Sequence, residues 1–246
     1  MISAVILTKN EGKNIIDCIK NLSFANEIII IDDNSNDKTA ELVESLKRKE
    51  IKIFKRDLQK DFGTQRNFGL SKATGEWVIF IDADERVSDA LAWEVSNLNL
   101  NNLNGFFVRR IDVMWGKRLQ HGEIGNINLL RMAKKDAGAW EGKVHEKWNV
   151  KGRIGSFKNP LMHYPHQSVS EFLKEINFYT DIRAKELHDK KVKAGILSII
   201  LYPMMKFIVN YFFKLGFFDG LEGLVFAMMM SFHSFLVRGK LWQLSF

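Results

Sequence analysis

Val78-Ile79-Phe80-Ile81-Asp82-Ala83-Asp84-Glu85 is the stretch that decides how this chain folds. Four apolar residues in succession predict a strand buried on both faces, and three acids follow where that strand leaves its sheet. In open α/β sheets, ligands bind beyond the carboxyl ends of the strands. Two carboxylates one residue apart on an irregular turn can face one divalent cation. Hard ions such as Mg²⁺ and Mn²⁺ take oxygen ligands and share them with phosphate-bearing substrates. The stretch therefore implies a metal held against a diphosphate. The same acids can instead solvate a loop or cap the next helix, and Ser88 and Asp89 have that capping pattern.

The surrounding residues extend the strand into a sheet. Ser3 to Leu7 predicts a first strand, and Asn14 to Leu22 has helical spacing at Ile15, Ile16, Ile19 and Leu22. Glu27 to Ile31 is a second strand, a helix follows around Lys38 to Lys49, and Ile51 to Phe54 is a short third strand. Phe68 to Ala73 belongs to another helix and Trp77 to Ile81 is the fourth strand. This alternation predicts an α/β fold with a mostly parallel, doubly wound sheet. From Gly105 to about His166 short apolar runs are broken by glycines, which predicts a mixed sheet with long loops.

The bulk properties are those of a globular protein. The 246 residues are 46% hydrophobic and 26% charged, enough for one large domain, alone or with an appendage. Cys18 is the single cysteine, which fits a reducing compartment. Lys9 interrupts the first apolar run, so no signal peptide is expected. The 36 basic and 29 acidic residues give +7, which suits nucleotide phosphates or anionic lipid. With no nucleic-acid module recognisable, nucleic acid is not an expected partner.

The last third is apolar in a different way. Phe172, Leu173, Ile176 and Tyr179 form one helical stripe. Ile196 to Phe213 is almost continuously apolar but carries Pro203 mid-run, with Lys206, Asn210 and Lys214 every fourth residue. Leu221 to Val237 falls short of the roughly 20 residues that a membrane span needs. Gly223, Ala227 and Ser231 form a small-residue seam suited to close helix packing. With Lys190, Lys191, Lys193, Arg238 and Lys240 as flanks, the two helices are expected to lie in a membrane interface; burial as a helical subdomain is the alternative. The expected division is 1–168 for the α/β domain and 169–246 for a C-terminal helical, membrane-associating region.

Two further polar turns follow strands one and two: Thr8-Lys9-Asn10-Glu11-Gly12 and Asp32-Asp33-Asn34-Ser35-Asn36-Asp37. With Asp82-Ala83-Asp84 they predict a shared cleft, although Asx turns and helix caps use the same residues, and Ser35 and Asp37 are expected to cap. The set Thr8…Asn10-Glu11, Ile31-Asp32-Asp33-Asn34-Ser35, Gln65-Arg66-Asn67-Phe68-Gly69, Ala73-Thr74-Gly75-Glu76-Trp77 and Ile81-Asp82-Ala83-Asp84-Glu85 resembles family 2 inverting glycosyltransferases. The resemblance implies a GT-A (Rossmann-like) domain, a nucleotide-sugar donor and a divalent cation at the Asp-x-Asp motif. Carried over by position, Asp33 contacts the nucleoside base, Asp82 holds the ribose or helps hold the metal, and Asp84 ligates it. Arg66 lies near the nucleotide, and Thr8, Asn10 and Glu11 line the nucleoside pocket. A Gly-rich phosphate loop after strand one, expected of a sugar nucleotidyltransferase, is missing.

The later segments Trp115-Gly116…Gln120-His121-Gly122, Asn128-Leu129-Leu130-Arg131, Trp140-Glu141-Gly142-Lys143-Val144-His145-Glu146 and Gly216 to Leu224 resemble a narrower group. It comprises the bacterial lipopolysaccharide core glycosyltransferases that add glucose to inner-core heptose. The Gln-x-x-Arg-Trp motif of many family 2 members, processive synthases among them, is not found. The resemblance implies a hexose donor, UDP-glucose, a lipid-anchored saccharide acceptor and a place on the inner face of the cell membrane. A polyprenyl phosphate or peptide acceptor, or a non-catalytic nucleotide-sugar-binding protein, are the other readings.

Inversion needs a group to take the acceptor's proton, and a carboxylate is the usual one. Glu146 is the expected base, with Glu141 behind it; a surface pair with Lys143 or Lys147 is the alternative. Arg131 is a candidate grip on the leaving diphosphate or a plain strand arginine. His163 is a candidate third metal ligand or phosphate contact. Trp115, Trp140 and Trp148 could floor a sugar site or pack a core.

Overall fold

Isoleucine and valine in near-continuous runs produce strands covered on both sides. In a computed structural model, β1 (Ile2–Thr8), β2 (Glu27–Asp32), β3 (Ile51–Lys55) and β4 (Trp77–Asp82) lie parallel in the order β3-β2-β1-β4. The structure describes all residues except Lys60, Asn99, Asn101, Asn126, Val144, His145, His166, Gln167 and Phe246. The expected Val144-His145 pair therefore lies outside the described residues, as do His166 and Gln167 near the expected domain boundary.

Ile28 to Ile31 are each no more than 1% exposed. Their side chains alternate between two apolar layers. Ala4, Ile6, Ile28, Ile30, Ile79 and Ile81 enter one, and Val5, Ile29, Ile31, Val78 and Phe80 the other. Helices α1 (Ile15–Lys20), α2 (Thr39–Ser45) and α3 (Phe62–Lys72) make the crossovers. Cys18 of α1 sits at 1% exposure, and burial pushes its thiol above the ordinary range.

Helix α3 begins six residues before the expected Phe68. Asp61 accepts a hydrogen bond from the Thr64 amide at 2.9 Å and caps it. The helix buries Gly63, Gln65, Arg66, Gly69 and Leu70, a mostly polar face with no apolar period to read. Gly69 is required by close approach: a Cβ there would stand 2.5 Å from the Val5 side chain.

Beyond β4 come β5 (Glu85–Val87), α4 (Asp89–Ser96), β6 (Gly105–Met114), β7 (Lys117–Leu119), β8 (Ile127–Lys134), β9 (Gly138–Glu141), β10 (Lys147–Val150), β11 (Ile154–Ser156) and β12 (Leu161–His163). Ser88 caps α4 by accepting from the Leu91 amide. The sheet continues as β4-β8-β6-β12-β5, with β8 antiparallel to both β4 and β6. Strands β9 and β10 form a separate hairpin that stacks Trp140 on Trp148, centroids 5.2 Å apart. Both rings meet Phe80 edge-on at 5.1 Å and are at least nine-tenths buried. They pack the core and do not floor an open sugar site.

The chain forms two compact units. The first is Met1–Arg110 with Ile127–His163 and contains the sheet just described apart from β7 and the Ile111–Met114 end of β6. The second is Ile111–Asn126 with Tyr164–Phe246, so Trp115, His121 and their neighbours group with the C-terminal helices. The reason is the buried Asp219 carboxylate, which accepts from the Gln120 and His121 amides and meets His121 Nδ1 at 2.8 Å.

The second unit is built from α5 (Val169–Asp189), α6 (Ile196–Ile208), a π turn (Val209–Phe213), a 3-10 turn (Gly216–Asp219) and α7 (Gly220–Gln243). Helix α5 buries Phe172, Ile176, Thr180, Ala184 and Leu187; Leu173 and Tyr179 of the expected stripe are exposed. Helix α7 has 24 residues, longer than its apolar run. It and Ile196–Phe213 are both long and apolar enough to cross a membrane. The small-residue seam is used: a Cβ on Gly223 would strike the Gly216 carbonyl at 2.0 Å, and Ser231 Oγ donates to the Pro203 carbonyl at 2.8 Å. Of the expected polar stripe, Lys206 pairs with Glu123 and Asn210 of the π turn is 1% exposed, while Lys214 is exposed.

Candidate active site

Strand register brings the three polar turns to one edge of the sheet. Thr8 pairs with Asp32 across β1 and β2, and Leu7 pairs with Asp82 across β1 and β4. The first two turns are laced together. The Asn10 amide donates to Ser35 Oγ at 2.8 Å, the Asn36 amide to Asn10 Oδ1 at 2.9 Å, and the Glu11 amide to Thr39 Oγ1 at 2.8 Å. Asn10 takes the left-handed conformation, φ 56°, that this turn demands. Asp37 accepts from the Gly12 and Thr39 amides, and Ser35 donates to Asp32. Asp33 uses one oxygen on Lys9 Nζ at 2.7 Å and the other on the Leu58 amide at 2.8 Å. Thr8 Oγ1 is buried without a partner among the described residues.

The turn after β4 is a charge network. Asp82 Oδ1 accepts from Arg66 Nη2 at 3.0 Å, and its Oδ2 from Arg131 Nη2 at 2.5 Å. Arg131 also donates to Glu85 Oε1 at 2.6 Å, and the Asp82 amide to Glu85 Oε2 at 2.8 Å. Burial opposes the Asp82 charge, but the guanidinium groups of Arg131 and Arg66 hold the carboxyl well below the usual range. Burial pushes Glu85 up; Arg131 opposes this and Asp82 adds to it. Arg131 is raised, its burial outweighed by the two carboxylates.

This corrects two expectations. Arg131 is 4% exposed and gives its Nη2 to two carboxylates, so it is neither a surface arginine nor open to a leaving diphosphate, and its buried Nε has no hydrogen-bond partner among the described residues. Asp82, with both oxygens on arginines, does not join Asp84 and His163 in a metal-binding trio. Among the described residues no three His, Cys, Asp or Glu side chains converge as a metal site.

Asp84 and His163 do converge. His163 Nε2 lies 3.1 Å from Asp84 Oδ2. Burial raises the Asp84 carboxyl, while the hydrogen bond and charge of His163 lower it further, leaving it depressed. One carboxylate and one imidazole fit a cation that takes few protein ligands and completes its shell with phosphate and water.

Helix α3 joins this turn to the segment after β9. Arg66 Nε donates to Glu146 Oε1 at 2.7 Å while its Nη2 holds Asp82. Its guanidinium lies over the Trp140 ring at 4.8 Å and the Phe80 ring at 5.6 Å. Asn67 exchanges two hydrogen bonds with the Trp140 backbone, at 2.8 and 2.9 Å. The Phe62 amide donates to the Lys143 carbonyl, and a Cβ on Gly63 would stand 2.4 Å from the Gly142 carbonyl. Glu146 is therefore drawn inward, whereas Glu141 is exposed on β9.

Sequence reasoning passed over Glu85, which is fully buried and organises Arg131 and the Asp82 amide. It also passed over Arg86, which donates to the Ala83 carbonyl and to Asn14 Oδ1. The available signal was the third acid of the Asp82-Ala83-Asp84-Glu85 run, beside an arginine.

The chain matches known proteins over most of its length. It is 27% identical over 248 residues to "Lipopolysaccharide core biosynthesis glycosyltransferase LpsC" of Rhizobium meliloti strain 1021, covering 98% of this chain and 92% of that protein. An uncharacterized glycosyltransferase of Rickettsia bellii is also 27% identical, over 99% of this chain and 87% of its own. Among solved structures, S. aureus TarS 1-349 in complex with UDP-GlcNAc aligns with a TM-score of 0.51 at 13% identity, covering 99% of this chain and 91% of that one. The fold is GT-A-like, a mostly parallel sheet followed by apolar C-terminal helices. The model of the family described as "Glycosyl transferase family 2" matches residues 3–148, more than half of the sequence, and the chain belongs to that family.

Proposed function

We propose that this glycosyltransferase moves a hexose, glucose from UDP-glucose, with inversion onto a lipid-anchored saccharide such as the inner-core heptose of lipopolysaccharide. The observation that carries the reading is the Arg66 guanidinium, which ties Glu146 to Asp82 at the edge of the parallel sheet. A donor-binding carboxylate and a proton acceptor are thereby held on one rigid group. The kinship with the lipopolysaccharide core glycosyltransferase of Rhizobium supports the choice of acceptor.

In this mechanism Thr8, Asn10, Glu11 and Asp33 surround the nucleoside, the exposed Lys9 swinging off Asp33 as the base enters. Asp82, kept ionised by Arg66 and Arg131, accepts from the ribose hydroxyls. Glu146 takes the proton of the acceptor hydroxyl as that oxygen bonds the anomeric carbon. The bond to the diphosphate breaks in line, and its electron pair leaves with UDP. Asp84 and His163 would hold a divalent cation, Mg²⁺ or Mn²⁺, which when bound neutralises charge on the departing diphosphate.

The second unit supports a site of action on the inner face of the cytoplasmic membrane. Ile196, Leu197, Phe213, Phe218 and Leu221 are each more than 60% exposed, an apolar surface that water disfavours and a lipid interface accepts.

The test is Glu146→Gln. Donor affinity stays near the wild-type value while turnover falls by about 10²- to 10⁴-fold, the usual weight of a general base. A variant that loses donor affinity and keeps turnover at saturation overturns the assignment.

A further inference from the structure

The second unit has an open cavity of about 360 Å³ lined by its three long helices. Arg183 comes from α5, Tyr202, Met205 and Lys206 from α6, and His233 and Arg238 from α7. Positions 202, 205 and 206 share one face of α6, and 233 lies a little over one turn before 238 on α7. Three cations thus line a small space in the most apolar part of the chain.

Their partners differ. Arg183 is met by Glu186 at 2.6 Å, and Lys206 by Glu123. Arg238 faces no carboxylate among the described residues. Its guanidinium lies 4.1 Å over the Tyr202 ring, and its Nε is buried with no hydrogen-bond partner among the described residues. A buried N–H without an acceptor is costly; no ligand reaches that Nε, but the rest of the guanidinium belongs to the cavity lining with no carboxylate among the described residues beside it, and that part calls for an anion. Arginine and phosphate match in both charge and geometry. The half-exposed Tyr202 and Met205 beside it offer apolar surface to a chain attached to that phosphate.

We propose that this cavity binds the phosphate of an anionic phospholipid headgroup, with Arg238 as the anchoring cation. The inference rests on the membrane reading above and adds a specific site to it.

The experiment is flotation of the full-length protein with vesicles of phosphatidylcholine alone or with a third of that lipid replaced by phosphatidylglycerol. Wild type partitions more strongly onto the phosphatidylglycerol vesicles. Arg238→Gln reduces that partitioning by at least about tenfold, the weight of a charge-assisted hydrogen bond. Lys193→Gln, which removes an equal charge from the exposed segment before α6, costs about fivefold or less, the weight of one charge near an anionic surface. Equal losses in the two variants overturn the site and leave only diffuse attraction. Arg238-dependent binding of inorganic phosphate, with unchanged vesicle partitioning, also overturns it, in favour of a soluble phosphate ligand. Should Arg238→Gln fail to fold, Arg238→Lys keeps the charge but loses the planar fork. It must fall between wild type and Lys193→Gln or below, and wild-type partitioning counts against the proposal. A wild-type protein that floats with neither vesicle refutes the membrane reading itself, a result distinct from all of these.

Discussion

Replacing Arg66 by lysine isolates the bridge between donor site and base. Arginine reaches Glu146 with Nε at 2.7 Å and Asp82 with Nη2 at 3.0 Å from a side chain that is 7% exposed. Lysine carries one compact ammonium group and can satisfy only one of the two carboxylates in this geometry. A hydrogen bond to a charged group contributes about 1.5–3 kcal/mol, so one is lost. Transfer that depends on Glu146 placement then slows roughly ten- to hundredfold. The same loss lowers the melting temperature by about 3–12 °C, at about 2–4 °C per kcal/mol for a protein of this size. Arg66→Met leaves Asp82 to Arg131 alone and takes from Glu146 the cation that holds it, and costs about 3–5 kcal/mol, the range for breaking a buried ion pair. The assay is sugar transfer from a UDP-sugar donor, with donor and acceptor KM separated from kcat, beside calorimetry of each variant. Wild-type kcat and an unmoved melting transition in Arg66→Lys would show that Arg66 positions neither group.

Asp84→Asn is expected to abolish transfer and to remove Mn²⁺ binding measured by titration calorimetry; unchanged turnover in the variant rules out Asp84 as the metal carboxylate. Glu27 supplies the pH prediction. It accepts from Ser3 Oγ at 2.6 Å, Thr74 Oγ1 at 2.8 Å and Lys52 Nζ at 3.1 Å. Burial opposes its charge, but these bonds bring its pKa from 4.5 down to about 2. Because the folded value lies below the unfolded one, its contribution is complete above the unfolded value and disappears as pH falls toward the folded one. At neutral pH it contributes about 3 kcal/mol, from about 1.4 kcal/mol per decade of proton affinity. Denaturant titrations of wild type and Glu27→Gln should therefore differ most at neutral pH and converge in acid; a constant gap would refute this.

The parallel sheet was legible because Ile28 to Ile31 and Val78 to Ile81 are apolar without interruption, and only a two-sided burial explains that. The acidic turn was legible because it ends such a strand. The partners of those acids were not. Arg131 is 49 residues from Asp82, and a strand arginine reads the same whether it faces water or a buried carboxylate. Helix α3 was half hidden because its inward face is Gly63, Gln65 and Arg66, residues chosen for what they hold. Strand β5 was missed because a fully buried glutamate gives it no apolar pattern. Segment 111–126 could not be assigned to its unit, since the contact that decides it, His121 with Asp219, spans 98 residues.

Cys18 carries the chain's single sulfhydryl, shut beneath the strand end with Sγ 3.6 Å from the Asp82 carbonyl. A thiol so enclosed and so weakly acidic reacts slowly with maleimides. This chain is thus already a blank background for site-directed labelling. One cysteine introduced at a time along the outer face of α6 or α7 would take a spin label or fluorophore alone, and would report the immersion depth of each helical turn.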